Sequence, residues 1–130
     1  MRHVVALFGE AEKGQIAEPI KISDLGQLAD YLGNPPEESV GITLAIQALL
    51  YKRDILYLRV QEEGFSTEDY LTGLRNLTNA SAVKSLHAIC MPGVGDATII
   101  NAASPVTEKH SSLLITTEQD LYDYLTALAS

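Results

Sequence analysis

The stretch His3-Val4-Val5-Ala6-Leu7-Phe8-Gly9 decides how this chain is read. It holds two β-branched valines, no polar residue after His3 and a glycine stop. A short apolar run of this kind reads as a strand buried on both faces. Three further runs share the character: Ile55 to Val60, Leu86 to Met91 ended by Pro92-Gly93, and Leu113 to Thr116. None alternates between apolar and polar residues, and strands covered on both faces belong to mostly parallel sheets.

The segments between these runs carry helical spacing. Ser23 is the expected N-cap of a helix in which Leu25, Leu28, Ala29 and Leu32 recur until Gly33 stops them. Asn34-Pro35-Pro36 breaks the chain, and a second helix is expected from Pro36 to Tyr51, opened by Glu37 and Glu38. Ser66 and Asp69 form the expected capping box of a third, with Tyr70, Leu71, Leu74 and Leu77 as its apolar stripe. Asp96 to Ala103 reads as a short helix stopped near Pro105. Thr117 and Asp120 should cap the last, with Leu121, Tyr124, Leu125 and Leu128 facing inward. Ile20 to Ile22 can add one short extended segment. The pattern predicts an α/β fold: a three-layer α/β/α sandwich with a mostly parallel four-stranded sheet, as a single domain over residues 1–130.

Composition narrows the function classes. Hydrophobic residues make up 46% of the 130-residue chain, enough for a core that needs no disulfide or metal staple. The single cysteine, Cys90, leaves no internal disulfide and too few ligands for a cysteine-based zinc site. Seventeen acidic residues against 9 basic ones give a formal net charge of −8. That field repels nucleic acid unless a basic patch opposes it, and the closest basic pair is Lys52-Arg53. No nucleic-acid partner is expected. The apolar start is too short for a secretory signal, and Ile42 to Leu50 spans about half of the ~20 residues a bilayer requires. A cytoplasmic protein without a membrane partner is the expectation.

Four patterns could carry chemistry. Gly9-Glu10-Ala11-Glu12-Lys13-Gly14 follows a strand as a phosphate-binding loop would, but Gln15 and Ile16 stand where Lys and Ser or Thr are needed. Gly93-Val94-Gly95-Asp96 could offer backbone amides to an anion, although Asp96 reads more simply as a helix cap. His87 and Cys90 lie three apart on a strand, so their side chains point to opposite faces. Glu10, Glu62, Glu63, Asp96 and Glu118 all follow predicted strands, where open α/β sheets collect their function, and could converge on Mg²⁺. Helix capping and the general acidity of the chain explain the same residues. No catalytic, cofactor-binding or metal-binding residue is therefore assigned, no cofactor is expected, and the chain is not read as an enzyme. A small metal- or ligand-binding enzyme using those carboxylates is the alternative. The helix over Val40 to Tyr51 stands apart, because only Thr43 and Gln47 interrupt its apolar surface. Such a helix is either central to the core or partly covered by another subunit.

In its order of motifs the chain resembles the tail sheath proteins of contractile phage tails and related injection machines. The likeness rests on the Gly9 to Gly14 loop, on Glu18-Pro19-Ile20-Lys21-Ile22-Ser23 leading to Tyr31-Leu32-Gly33, and on Ala45 to Leu50 running into Tyr57-Leu58-Arg59-Val60. Tyr70 to Leu77 and Leu86 to Gly93 continue it, while Lys52-Arg53-Asp54 replaces the family's glycine turn. The chain ends as its last expected helix ends, so the resemblance implies the α/β core without the family's terminal arms and further domain. It also implies protein partners (a homo-oligomer or other tail and injection-system components), a location in the cytoplasm or the virion tail, and no catalytic residues.

Overall fold

A computed structural model of the chain describes residues 3–79 and 86–129. Strand β1 (Val4–Gly9) lies at the centre of a five-stranded sheet. β3 (Asp54–Arg59) pairs with it in parallel on one side and β4 (Ala88–Cys90) on the other. β5 (Leu113–Ile115) extends the sheet beyond β4, also in parallel. The fifth strand, β2 (Ile20–Ile22), pairs antiparallel with β3 at the opposite edge. The sequence led to four strands. The extra one is the short Ile20 to Ile22 segment, recruited because Ile22 is buried against Ile55.

Among the described residues five helices cover the two faces: α1 (Leu25–Leu32), α2 (Gly41–Leu50), α3 (Thr67–Asn79), α4 (Ala97–His110) and α5 (Glu118–Ala129). Strand periodicity sorts the core. Val5, Leu7, Ile55, Tyr57, Ala88 and Cys90 point toward α1, α2 and α5. Ala6, Phe8, Leu58, Ile89 and Met91 point toward α3 and α4. The residues of β1 thus feed both cores in turn, as the unbroken apolar run required.

Helix boundaries depart from expectation where tertiary contacts override local signals. Asp24, not Ser23, caps α1, accepting from Gln27 N–H at 2.8 Å. α2 begins at Gly41, so Glu37 and Glu38 lie in the loop before it, exposed. Asp69 is turned away from its expected capping box and accepts from Gln61 N–H at 2.9 Å. α4 runs on through Pro105 to His110. Asn101, whose carbonyl loses its usual donor there, is exposed, so water can take the place of the missing N–H. Thr117 caps α5 as expected, its hydroxyl accepting from Asp120 N–H at 3.1 Å. Leu121 and Leu125 are buried and Tyr124 half-buried, while the side chain of Leu128 lies outside the described residues.

Gly73 shows how tightly α3 sits on the sheet. A Cβ there would stand 2.5 Å from Phe8 Cε2 and 3.0 Å from Leu58 Cδ2. Gly73→Val should therefore lower unfolding free energy by about 1–3 kcal/mol in chemical denaturation, the usual cost of overpacking a filled core. Gly95→Ala, where a Cβ meets nothing within 4 Å, should change it by less than about 0.5 kcal/mol.

Candidate functional site

In open α/β sheets the crevice forms at the carboxyl ends of the strands, where successive connections leave to opposite sides. Here that point lies between β1 and β4, because β1 connects onward to β3 on one side and β3 to β4 on the other. Four segments meet there: Gly9-Glu10 after β1, the start of α2, the β3–α3 loop through Glu62 to Phe65, and Met91 to Gly93 after β4.

Side chains of the protein itself fill the place. The Glu63 carboxylate lies on the N-terminus of α2, accepting from Val40 N–H through Oε1 at 2.9 Å and from Gly41 N–H through Oε2 at 2.9 Å. Oε2 also accepts from Glu10 N–H at 2.8 Å, and Glu63 N–H donates back to the Glu10 carboxylate at 2.9 Å. Val40, the N-cap residue, has no side-chain acceptor to offer. A carboxylate from a distant loop supplies the cap instead, where the helix dipole most favours negative charge.

Beneath this clasp the backbones of β1 and α2 nearly touch. A Cβ on Gly9 would lie 2.7 Å from Gly41 Cα and would also strike the Tyr57 hydroxyl. Tyr57 rises from β3 under both glycines, buried, and its hydroxyl donates to the Glu10 carbonyl at 2.8 Å. Burial first, and then the Glu63 carboxylate, push its phenol well above the ordinary tyrosine pKa, so it stays a proton donor. Toward β4, a Cβ on Gly64 would come within 2.8 Å of the Gly93 carbonyl. Gly64 N–H donates to the Tyr70 hydroxyl at 2.7 Å, and burial pushes that phenol up to about 12. The β3–α3 loop thus lies across the switch point and is pinned there from both sides.

Of the five carboxylates noted in the sequence, the structure brings Glu10 and Glu63 together. Asp96 caps α4, accepting from Thr98 and Ile99 N–H. Glu118 opens α5 and lines a shallow groove with Thr43, Gln47 and Tyr122 of α2 and α5. Glu62 is exposed. Among the described residues no three His, Cys, Asp or Glu side chains are gathered as a metal site would need. The Gly9 to Gly14 loop folds back on α1: Glu12 and Lys13 N–H both donate to the Leu32 carbonyl, and the Glu12 carboxylate accepts from Asn34 N–H. Cys90 lies in the core shared with α1, α2 and α5, and burial pushes its thiol up to about 12.

His3 and His87 lie far apart in sequence, without the short spacing of a ligand pair. The fold stacks them, ring centroids 3.9 Å apart and 23° from parallel, where β1 and β4 enter the sheet. Val4 N–H donates to His87 Nδ1 at 3.1 Å, and His87 N–H to the Val4 carbonyl at 2.8 Å. Only the parallel pairing of β1 with β4 could have revealed the contact.

The chain matches no family model, no curated protein and no solved structure. Among the described residues no helix is long and apolar enough to cross a membrane.

Two outcomes follow from this geometry. Glu63→Ala strips an acceptor from the N–H groups of Glu10, Val40 and Gly41, and should cost about 1–3 kcal/mol in urea unfolding. Glu63→Gln keeps one carbonyl acceptor and should cost less. Burial and then the adjoining His3 ring hold His87 below the ordinary histidine pKa, and burial and Lys109 do the same for His110. Both bind a proton less readily folded than unfolded. Their contribution to stability is therefore complete above about pH 6.5 and declines as pH falls below it. The urea midpoint should drop across that range, and His87→Asn, which can accept from Val4 N–H without titrating, should flatten the drop.

Proposed function

We propose that this domain is a structural module, resembling the core of a contractile tail sheath subunit and acting through protein–protein contacts rather than catalysis. The observation that carries the reading is the Glu63 clasp. The place where an α/β sheet of this topology holds a ligand is taken by a carboxylate, two touching glycines and a tyrosine hydroxyl of the chain itself. A phosphate or a carboxylate substrate would have to displace Glu63 from the N–H groups it already satisfies, with Glu10 adding repulsion.

What the domain leaves open is its outer surface. Phe65 is 72% exposed, Leu50 64% and Leu113 56%. Large exposed apolar side chains suit contact with other proteins. α2 itself is largely a core helix, with Ile42, Leu44, Ala45, Ala48 and Leu49 buried and Ile46 half-buried. Its apolar character thus mostly serves this chain's own interior, and Leu50 is its exposed apolar residue. A location in the cytoplasm or a virion tail goes with this reading.

Sedimentation equilibrium over a wide range of protein concentration tests it. The weight-average mass should rise above that of the 14.1 kDa chain as concentration increases. A single monomeric mass throughout would remove the assembly reading. Calorimetric titration with Mg²⁺ and with ATP should give no binding heat. Saturable binding lost in Glu10→Gln would instead favour a ligand-binding enzyme built on the strand-end carboxylates.

A further inference from the structure

The sheet ends differently on its two sides. At one edge β2 carries the exposed Lys21 and follows Pro19, both common guards against another strand. At the other edge stands β5, and among the described residues no strand pairs with its outer side. That edge has no such guard, because the run Ser111 to Thr117 contains neither a charge nor a proline. Its first residue, Leu113, is exposed. Leu113 N–H donates inward to the His87 carbonyl, and the Ile115 carbonyl accepts from Met91 N–H. Backbone groups alternate sides along a strand, so Leu114 between them turns both its N–H and its C=O to the open edge.

α4 flanks this edge with an uncharged side. Ile99, Ala103 and Val106 face the core, while Ala102, Pro105 and Lys109 face α3. Helical spacing puts Ile100, Ser104 and Thr107 on the side away from α3, which is the side of the open edge. Ser104 is exposed, and Ile100 and Thr107 are half-buried. Strand residues rise about 3.3 Å each and helix residues about 1.5 Å. Counted from the turn at Ser111, Ser104 therefore lies level with Leu114.

We propose that two copies of this chain join their β5 edges antiparallel, about a two-fold axis through Leu114, making one continuous sheet. This inference rests on the assembly reading above and names the surface and its occupant, a second copy. The edge is complementary to itself. Each Leu114 N–H meets the carbonyl of the other Leu114, so both open groups are satisfied at once. Leu113 comes to lie opposite Ile115 of the second copy on the same face, which covers its apolar side chain. Paired strands stand about 4.8 Å apart, and α4 sits over β4 and β5 of its own copy. The two α4 helices then run about 10 Å apart, the spacing of packed helices, with Ser104 facing Ser104. Charge favours the strip as well. Each chain carries a net charge of −8, and Ile100, Ser104, Thr107, Leu113 and Leu114 let two acidic chains touch through residues without carboxylates.

The test compares Leu113→Lys and Ser104→Lys with the wild type in sedimentation velocity over a range of concentration. Both positions are exposed, so both variants should keep the wild-type circular dichroism spectrum. The wild type should pass from monomer to dimer as concentration rises. Each variant should associate at least about tenfold more weakly, the first by guarding the edge and the second by opposing like charges. Ser104→Glu alone should be equally weak. Mixed with Ser104→Lys it should form one-to-one dimers, as a residue that meets itself across an axis requires. Salt should tighten the wild-type dimer by screening the repulsion between acidic chains. Loosening in salt would mean a contact held by ion pairs and would overturn the β5 edge. If the wild type associates and Leu113→Lys or Ser104→Lys associates equally well, the edge is the wrong surface while the assembly reading stands. A wild type monomeric at every concentration sinks both.

Discussion

β1 and α2 can lie against each other only because neither Gly9 nor Gly41 carries a side chain. The approach brings the start of α2 over the end of the central strand, leaving a row of helix N–H groups facing the protein. Those donors need an acceptor. Glu63 answers from the β3–α3 loop, and in doing so fixes that loop across the end of β1 and onto Gly93. The helix start, the central strand and the loop over the switch point are thereby held as one unit. Tyr57 underlies all three, and its hydroxyl is spent on the Glu10 carbonyl.

This arrangement bears on function because it uses up the groups that α/β proteins elsewhere turn toward ligands. A glycine-ended strand, a helix start and nearby carboxylates are the parts from which a phosphate or metal site is made. Here the glycines admit a neighbouring backbone, and the two carboxylates hold each other's loops. The same residue types serve architecture here.

Much of the fold was legible in residues. The unbroken apolar runs specified buried parallel strands, and Thr117 with Asp120 announced the last helix correctly. Features set by distant contacts were not legible. Glu63 caps a helix from beyond β3, so the local acids Glu37 and Glu38 gave a false start to α2. Ile20 to Ile22 is too short to declare its pairing, which depends on Tyr57 and Ile55 across the gap. Pro105 signalled an end that an exposed helix face did not require. The His3 and His87 stack needs the register of β1 against β4 before it can be seen. The candidate site was partly visible, since Glu10 and Glu63 were singled out. Their use as acceptors for backbone groups depends on the fold.

The placement of Cys90 has a practical side. Its thiol is enclosed in the core and pushed up to about 12, so almost none of it is the nucleophilic thiolate at neutral pH. A maleimide dye or spin probe added to the folded protein would pass this sulfur by. A second cysteine introduced at the surface could then be tagged selectively without first removing the native one, which leaves the interior undisturbed for spectroscopy.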